Sequence, residues 1–369
     1  MRIGIIGAGQ LGRMIALAGY PMGLQFLFLD RSEQTPGGQV ADILLGDFND
    51  AEALRRLAGE VSVLTYDVEN VPVEALRQGA GNVAVHPDPG ILEAAQDRLD
   101  EKQAFADHGI ATAPYRRVDS REELGKAVEA LGLPAVLKRR RLGYDGRGQR
   151  FLRAPEDLDE AWQALGEAPL ILEGFVDFDR EVSLIGARNP SGQTVFYPLT
   201  ENGHEDGILR HSLAPAGGEQ IQKAAEDQMR SLMERFDYAG VLTIEYFEKD
   251  GELIANEMAP RVHNSGHWTI EGAATSQFEN HVRGILDLPL GSTRPRGQAV
   301  MINCLGGMPE PAEILALPDV HYHDYGKEGR PRRKLGHLTA LRDDVEGREQ
   351  IRTDLTRRVK QAEGDAGPG

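Results

Sequence analysis

The sequence lacks several features that mark whole classes of protein. Its 369 residues include a single cysteine, Cys304, which excludes an intrachain disulfide and a cysteine-based zinc site. No apolar run approaches the ~20 residues of a membrane span, and the N-terminus has no signal-peptide layout. Acids outnumber lysine and arginine by 58 to 41, which gives a formal net charge of −17. We therefore expect a soluble cytoplasmic protein without a nucleic-acid partner or a membrane contact.

The pattern of apolar runs changes along the chain. The first hundred residues alternate short strand-like runs, such as "RIGIIG" and "VSVLTYD", with helical patterns, which predicts a parallel α/β sheet. The segment 180–262 is typical of antiparallel strands, and Asp250-Gly251 within it is a hairpin signal. A chain of 369 residues is expected to form two or three domains.

Residues 4–13, "GIIGAGQLGR", carry a glycine fingerprint directly after an apolar run. Gly7, Gly9 and Gly12 have the spacing G-x-G-x-x-G, and Asp30 closes the next apolar run about where a ribose-binding acid is expected. Taken alone, this pattern predicts an NAD-dependent dehydrogenase. No nicotinamide-site motif follows it, whereas features of an ATP clamp do, so we expect the turn to serve another ligand.

Two acids lie on the arms of the predicted hairpin "GVLTIEYFEKDGELIANEMAP". With a loop of three to five residues around Gly251, Glu245 and Glu257 fall nearly opposite each other, whereas a register change of one residue separates them. Facing carboxylates repel unless a cation such as Mg²⁺ neutralises them. The alternative is a pair of solvated acids on an exposed face of the sheet.

Phosphate-binding features precede this hairpin. Lys138 ends the apolar strand "PAVLK", and the loop "GYDGRGQ" (143–149) lets backbone N–H groups approach phosphate oxygens. Glu173 in "ILEGFV" follows a strand beside apolar residues, which suits an adenine, and Glu181 is a candidate ribose ligand. After the hairpin, "NEMAPRVHNSGHWT" (256–269) is dense in polar groups, although an isolated histidine is more often structural than catalytic.

The order of these motifs resembles that of the ATP-grasp superfamily, in which two β-rich subdomains clamp MgATP. The segments "GAGQLGRM", "YDVENVP", "GYDGRGQ", "APRVHNSGHWT" and "GRPRRKLGHL" together resemble the 5-(carboxyamino)imidazole ribonucleotide synthase family. The resemblance runs from Met1 to about Leu341. Residue 142 departs from the pattern, because Leu142 stands where the family often has glycine.

The resemblance implies an α/β fold of three parts. A Rossmann-like N-terminal domain would span 1–97. An ATP-grasp clamp of two α+β subdomains would span 98–295, with the smaller lid at about 112–175. A small β-rich C-terminal domain would span 296–360 and a disordered tail 361–369. A homodimer is also implied.

The resemblance further implies a set of site residues. It assigns Mg²⁺ to Glu245 and Glu257. It assigns ATP to Arg98, Lys138, Gly143, Tyr144, Asp145, Gly146, Arg147, Gly148, Gln149, Glu173, Gly174, Phe175, Val176, Glu181, His204, Asn256 and Glu257. The implied catalytic residues are Tyr144, Asp145, Arg147, Arg261 and His263, and the ribonucleotide would also contact Gln10, Glu69, Lys327, Arg333 and Lys334.

The implied reaction is the ATP-dependent carboxylation of 5-aminoimidazole ribonucleotide by bicarbonate, through carboxyphosphate, in purine biosynthesis. Asp145 and His263 are equal candidates for the general base. The clamp motifs alone also permit a formate-dependent transformylase or a biotin carboxylase. A non-catalytic nucleotide-binding regulator is a further alternative from another class.

Overall fold

The N-terminal part of the chain is a parallel sheet. The computed structural model describes residues 1–143, 146 and 148–365. The first five strands are β1 (Arg2–Ile6), β2 (Gln25–Asp30), β3 (Asp42–Leu45), β4 (Val63–Tyr66) and β5 (Ala84–Val85), in the spatial order β3-β2-β1-β4-β5. All four pairings are parallel. The predicted parallel α/β arrangement is confirmed.

Helices cover both faces of this sheet, which is why its central strands are mostly apolar and buried. They are α1 (Gln10–Gly19), α2 (Ala51–Gly59), α3 (Val73–Ala80) and α4 (Pro89–Ala95). Ile3 and Ile5 of β1 pack into one cluster with α1, and Ile6 packs into another with α2 and α3. Strands buried on both faces need such continuous apolar runs.

The next segment forms a small antiparallel sheet, which we call the lid sheet. Helix α5 (Arg98–Asp107) precedes it. Its strands and helices are β6 (Tyr115–Val118), α6 (Arg121–Leu131), β7 (Ala135–Arg139), β8 (Gln149–Leu152), α7 (Asp157–Leu165) and β9 (Leu170–Gly174), with strand order β6-β9-β7-β8. A capping motif begins α6. Ser120 Oγ accepts from the amide of Glu123, and the carboxylate of Glu123 accepts from the amide of Asp119.

The remaining strands form one large sheet, in which every pairing is antiparallel. They are β10 (Arg180–Arg188), β11 (Thr194–Phe196), β12 (Thr200–Glu205), β13 (Ile208–Ala214), β14 (Gly240–Lys249), β15 (Glu252–Ala259), β16 (Gln298–Leu305), β17 (Val320–Asp324) and β18 (Lys334–Arg342). The order is β15-β14-β10-β12-β13-β16-β18-β17, with β11 beside β10. The C-terminal strands thus extend the sheet of the clamp through the β13–β16 pairing.

Five helices accompany the large sheet: α8 (Glu219–Arg235), α9 (Thr269–Gly272), α10 (Gln277–Ile285), α11 (Pro311–Leu315) and α12 (Val345–Asp365). The disordered tail expected at 361–369 is therefore wrong for residues 361–365; the remaining four lie outside the described residues. Glu363 explains the difference, because its carboxylate pairs with Arg210 and accepts from the amide of Leu305 at 2.8 Å. These distant contacts hold the last turn against β16.

The described residues contain neither a membrane-spanning helix nor an exposed thiol. No helix among them is long and apolar enough to cross a bilayer. Cys304 is fully buried in β16, and burial raises the pKa of its thiol, which is typical of a small core residue rather than a nucleophile.

Candidate active site

The two hairpin acids are cross-strand partners because β15 carries one extra residue. The loop is the two residues Asp250 and Gly251, both at positive φ, so the expected loop of three to five residues is wrong. A regular ladder from that turn would place Asn256 opposite Glu245. The register instead shifts by one residue beyond Tyr246, which brings Glu257 opposite Glu245. A β-bulge therefore creates the acidic pair.

The electrostatics of the pair favour a bound cation. Burial, and then the charge of Glu257, raise the pKa of Glu245. Burial also acts to raise the pKa of Glu257, but Arg98, Lys138 and Lys102 together lower it. Both guanidinium Nη atoms of Arg98 lie 3.2 Å from Glu257 Oε2. Asn256 Oδ1 is buried without a hydrogen-bond partner among the described residues. Two carboxylates and a free amide oxygen are the ligands that a hard cation such as Mg²⁺ prefers.

This donor set is incomplete by itself. Among the residues that the structure describes, no three His, Cys, Asp or Glu side chains are grouped to hold a metal. Mg²⁺ keeps several ligands from water or substrate phosphate rather than taking an all-protein cage. The residues present therefore fit a cation shared with a nucleotide.

Glu173 of β9 is buried between two lysines. Its carboxylate, 3 % exposed, accepts from Lys138 Nζ at 2.7 Å and lies 3.6 Å from Lys102 Nζ. Burial acts to raise its pKa, but Lys138 and Lys102 lower it to about 2. The side chain is thus engaged by the lysines and not open to the adenine that the sequence had indicated. Its contact orients Lys138 at the lid side of the site.

The adenine and ribose candidates follow along the chain. Phe175 is 42 % exposed, and its ring meets that of Phe151 edge-on with centroids 5.2 Å apart. Glu181 of β10 pairs with Nδ1 of His204 on the adjacent strand β12. Burial acts to lower the pKa of His204, but this hydrogen bond and the nearby glutamate charges together raise it above the usual value. The pair can therefore offer a carboxylate oxygen to a ribose hydroxyl.

The glycine loop is only partly described. Gly146 and Gly148 both have positive φ, as a loop with inward-facing amides requires. Tyr144, Asp145 and Arg147 lie outside the described residues. Leu142, where the family often has glycine, has φ +62° and is 80 % exposed, so a leucine here occupies a backbone conformation that favours glycine.

The cationic end of the site brings together residues from distant parts of the chain. Arg261 Nη2 is 2.9 Å from Glu69 Oε1, and Lys327 Nζ donates to Gln10 Oε1 at 2.5 Å. Burial, followed by the charge of Arg333, lowers the pKa of Lys327 to about 8. Lys334 lies within electrostatic reach of both Lys327 and Glu245. Residues 327–334 thus place positive charge between the N-terminal sheet and the acidic pair.

The glycine fingerprint at residues 7–12 is filled by a carboxylate of the protein. Asp67 Oδ2 accepts from the amides of Gly9 at 2.8 Å and Gly12 at 3.0 Å, while Asp30 accepts from that of Ala8. A Cβ on Gly7 would lie 1.9 Å from Asp67 Oδ1, so glycine is required for this close approach. Because Asp67 occupies the position of a pyrophosphate, the turn does not bind a dinucleotide.

Both ring nitrogens of His263 are engaged. Nδ1 accepts from the amide of Ser265 at 3.3 Å and lies 2.9 Å from the hydroxyl of the same residue, and Nε2 lies 3.2 Å from Glu245 Oε1. Burial and the charge of Arg261 lower the pKa of His263 well below its usual value, so the ring is neutral.

Two residues that contact the site were missed in the sequence. Asp67 lies within the quoted segment "YDVENVP", two residues before Glu69. Lys102 lies one helical turn after Arg98 on α5, and that i, i+4 spacing could have identified it. A carboxylate that binds its own glycine turn leaves no local sequence signal.

Family models match three consecutive segments of the chain. A ribonucleotide synthetase preATP-grasp domain matches residues 1–96, an ATP-grasp domain 103–278 and a phosphoribosylaminoimidazole carboxylase C-terminal domain 299–351. The N5-carboxyaminoimidazole ribonucleotide synthase of Pseudomonas aeruginosa is 50 % identical over 92 % of this chain and 94 % of its own length. The chain belongs to the N5-carboxyaminoimidazole ribonucleotide synthase family. The family and the ATP-dependent ligase activity in purine biosynthesis inferred from the motifs are thereby confirmed.

Solved structures of this family have the same fold. The synthetase from Thermus thermophilus is 53 % identical, with a TM-score of 0.92 over 96 % of this chain and 98 % of that one. The synthase from Aspergillus clavatus, in complex with ADP and 5-aminoimidazole ribonucleotide, is 32 % identical, with a TM-score of 0.90 over 98 % of each chain. The predicted architecture of an N-terminal parallel sheet, an ATP-grasp clamp and a C-terminal part is confirmed.

Proposed function

We propose that this chain joins bicarbonate to the 5-amino group of 5-aminoimidazole ribonucleotide, with ATP converted to ADP and phosphate. The observation that supports this reaction is the acidic pair Glu245 and Glu257, which lies between a lysine of the lid sheet and the cationic end of the site. A phosphorylated acid and an amine could meet there. The complex of the Aspergillus relative with ADP and the same ribonucleotide is consistent with it.

ATP binds between the lid sheet and the large sheet in this proposal. Lys138 and Arg98 compensate the charge of the phosphates, and Glu181 with His204 takes the ribose. The adenine lies against Phe175 and Val176. Glu245, Glu257 and Asn256 hold Mg²⁺, which supplies charge neutralisation to the phosphates. Phosphoryl transfer to bicarbonate mainly needs this alignment and compensation of charge.

The ribonucleotide occupies the cationic end. Its phosphate is drawn to Lys327, Arg333 and Lys334, with Gln10 beside Lys327. Glu69 and Arg261, which already pair with each other, face the imidazole and the reacting amine. Carboxyphosphate forms when the bond between the γ-phosphorus and the leaving oxygen of ADP breaks and a bicarbonate oxygen takes the phosphoryl group. The amine nitrogen then attacks its carboxyl carbon and phosphate leaves.

The amine must lose a proton in that last step. His263 is a poor acceptor in the observed arrangement, because its Nδ1 already accepts from the amide of Ser265 and its Nε2 lies 3.2 Å from the carboxylate of Glu245. We therefore assign the general base to Asp145 of the glycine loop and a positioning role to His263. The loop glycines at positive φ would let this segment close over carboxyphosphate and exclude water.

Substrate specificity distinguishes this proposal from other ATP-grasp ligases. The purified enzyme should incorporate ¹³C from bicarbonate into a ribonucleotide carbamate, observed by NMR, and should show no product with formate. Asp145→Asn should lower kcat by about 100-fold. His263→Asn should mainly raise the Mg²⁺ requirement. Product from formate would overturn the assignment of bicarbonate as the substrate. Normal turnover in the Asp145 variant would overturn the assignment of Asp145 as the general base.

We also propose a cytoplasmic homodimer, as the resemblance implies. Leu315 at the end of α11 is 59 % exposed and is a candidate contact between two copies. Sedimentation of the wild type should give twice the monomer mass, and Leu315→Glu should lower it. A wild type that sediments as a monomer at micromolar concentration would contradict the dimer.

A further inference from the structure

Helix α5 contacts the bulged part of β15 at three consecutive residues. Arg98 binds the carboxylate of Glu257, Glu101 Oε1 accepts from the amide of Met258 at 2.6 Å, and Lys102 Nζ donates to the carbonyl of Asn256 at 2.9 Å. The first of these contacts is with a side chain, whereas the other two are with the backbone.

The two backbone contacts have a specific position in the sheet. Strand β15 is the last strand of the large sheet, and beyond it, among the described residues, the chain pairs only at Ala255, which bridges to Thr112 and donates its amide to the carbonyl of Ala111 at 2.7 Å. The N–H and C=O groups on this side of Asn256 and Met258 therefore need other partners. Glu101 supplies an acceptor and Lys102 a donor where an adjacent strand would supply its own backbone groups. Both side chains are almost fully buried, at 2 % and 0 % exposure. They hydrogen-bond to the backbone of β15 at the residues where the register of the hairpin shifts.

We propose that Lys102, together with Glu101, is a positioning residue that fixes the β-bulge and thereby holds Asn256 and Glu257 in the geometry that binds Mg²⁺. Without the bulge, Asn256 would take the place of Glu257 opposite Glu245. Lys102 is neither a metal ligand nor a catalytic residue, and it acts through the carbonyl of Asn256.

Lys102 also connects the bulge to the lid sheet. Its Nζ lies 3.6 Å from Glu173 Oε1, and the other oxygen of that carboxylate accepts from Lys138. One buried ammonium thus contacts both the strand that carries the acidic pair and the carboxylate that orients the phosphate-binding lysine. Helix α5 therefore keeps the metal end and the lid end of the nucleotide site in a fixed relation.

Lys102→Met tests the proposal, because it keeps the packing of the stem but removes the donor. The concentration of Mg²⁺ that half-saturates ADP binding, measured by calorimetry, should rise by about 10-fold or more, as for other residues that orient metal ligands. The KM for the ribonucleotide should stay within about threefold of the wild type. Hydrogen exchange at Met258 should accelerate. Lys126→Met, at a lysine that is 69 % exposed on α6, is the matched control.

Lys102→Gln separates positioning from charge. Its amide can still donate to the carbonyl of Asn256, so the Mg²⁺ requirement should return to within about threefold of the wild type. If Lys102→Met does not fold, this variant decides alone, and a tenfold rise in the Mg²⁺ requirement would overturn the proposal. An unchanged Mg²⁺ requirement in Lys102→Met would also overturn it.

The inference rests on the proposed Mg²⁺ site. If ADP binding by the wild type does not depend on Mg²⁺, the proposed Mg²⁺ site is contradicted, and so is the inference that rests on it. If ADP binding by the wild type depends on Mg²⁺ but Lys102→Met has the same Mg²⁺ requirement as Lys126→Met, only the role of Lys102 is contradicted.

Discussion

The carboxylate of Asp67 accepts from the amide of Gly9 at 2.8 Å, inside the turn that resembles a dinucleotide fingerprint. The same oxygen also accepts from Gly12, and Oδ1 has no hydrogen-bond partner in the part of the chain that is described. Burial raises the pKa of this carboxyl to about 6. An internal anion therefore occupies the helix N-terminus at an electrostatic cost.

Asp67→Asn should stabilise the protein at neutral pH. The carbonyl of asparagine can accept both amides, and no charge is then buried. Because the folded pKa of Asp67 lies above its unfolded value near 4, the wild type loses stability as pH rises from about 4 to 6. The variant should gain about 2 kcal/mol above that range and little at its lower limit.

Melting temperatures between pH 5 and 7.5 measure this difference. Asp47→Asn is the control, because Asp47 also accepts backbone and arginine N–H groups but lies on the surface. Its effect on stability should be small. An Asp67→Asn protein that melts below the wild type, and by more at pH 7.5 than at pH 5, would show that the charge itself holds the turn.

Proton release should accompany Mg²⁺-dependent ADP binding. Burial and the charge of Glu257 raise the pKa of Glu245, so part of the population is protonated near neutral pH and must ionise to bind the cation. Affinity for Mg²⁺ should therefore increase from pH 6 to pH 8. Calorimetry in two buffers of different ionisation enthalpy measures the protons released.

Glu245→Gln should abolish that release and weaken Mg²⁺-dependent binding by about 10-fold or more. Glu252→Gln, at an exposed carboxylate of the same hairpin, should retain both properties. Equal proton release from the Glu245 variant and the wild type would assign the proton to another group.

Lys138→Met should destabilise the lid sheet as well as impair ATP binding. It leaves the carboxylate of Glu173 buried without its hydrogen-bonded partner, although Lys102 and Arg98 remain near it, which should cost about 3 kcal/mol. Adding Glu173→Gln removes the buried charge and should recover most of that stability. The affinity for ATP should remain about 10-fold weaker in the double variant. A double variant as unstable as Lys138→Met would show that the pair does not interact as described.

The sequence predicts local structure well where one or two residues decide it. Asp250-Gly251 fixes a hairpin because both residues tolerate positive φ, and Ser120 with Glu123 begins a helix by capping its free amides. The facing of Glu245 and Glu257 was also expected, but from a longer loop. The bulge that produces it depends on contacts with α5, more than 150 residues away in sequence.

Long-range contacts account for the other differences. The last turn of α12 is ordered through Arg210 and Leu305, which no pattern within residues 361–365 can indicate. Glu173 faces Lys138 because β7 and β9 are neighbours in the lid sheet, a pairing that the order of the chain does not specify. Asp67 reaches Gly9 across two adjacent parallel strands. Residue types led to the candidate site, whereas the contacts between its residues required the tertiary structure.

The most direct test is ADP release by the purified enzyme with MgATP and bicarbonate, with and without 5-aminoimidazole ribonucleotide, beside the Glu257→Ala variant. We expect release that increases with the ribonucleotide and is lost in the variant, because Glu257 is required to hold the cation. ADP release that does not change with the ribonucleotide would contradict the proposed reaction. ADP release that persists in Glu257→Ala would contradict the proposed metal site.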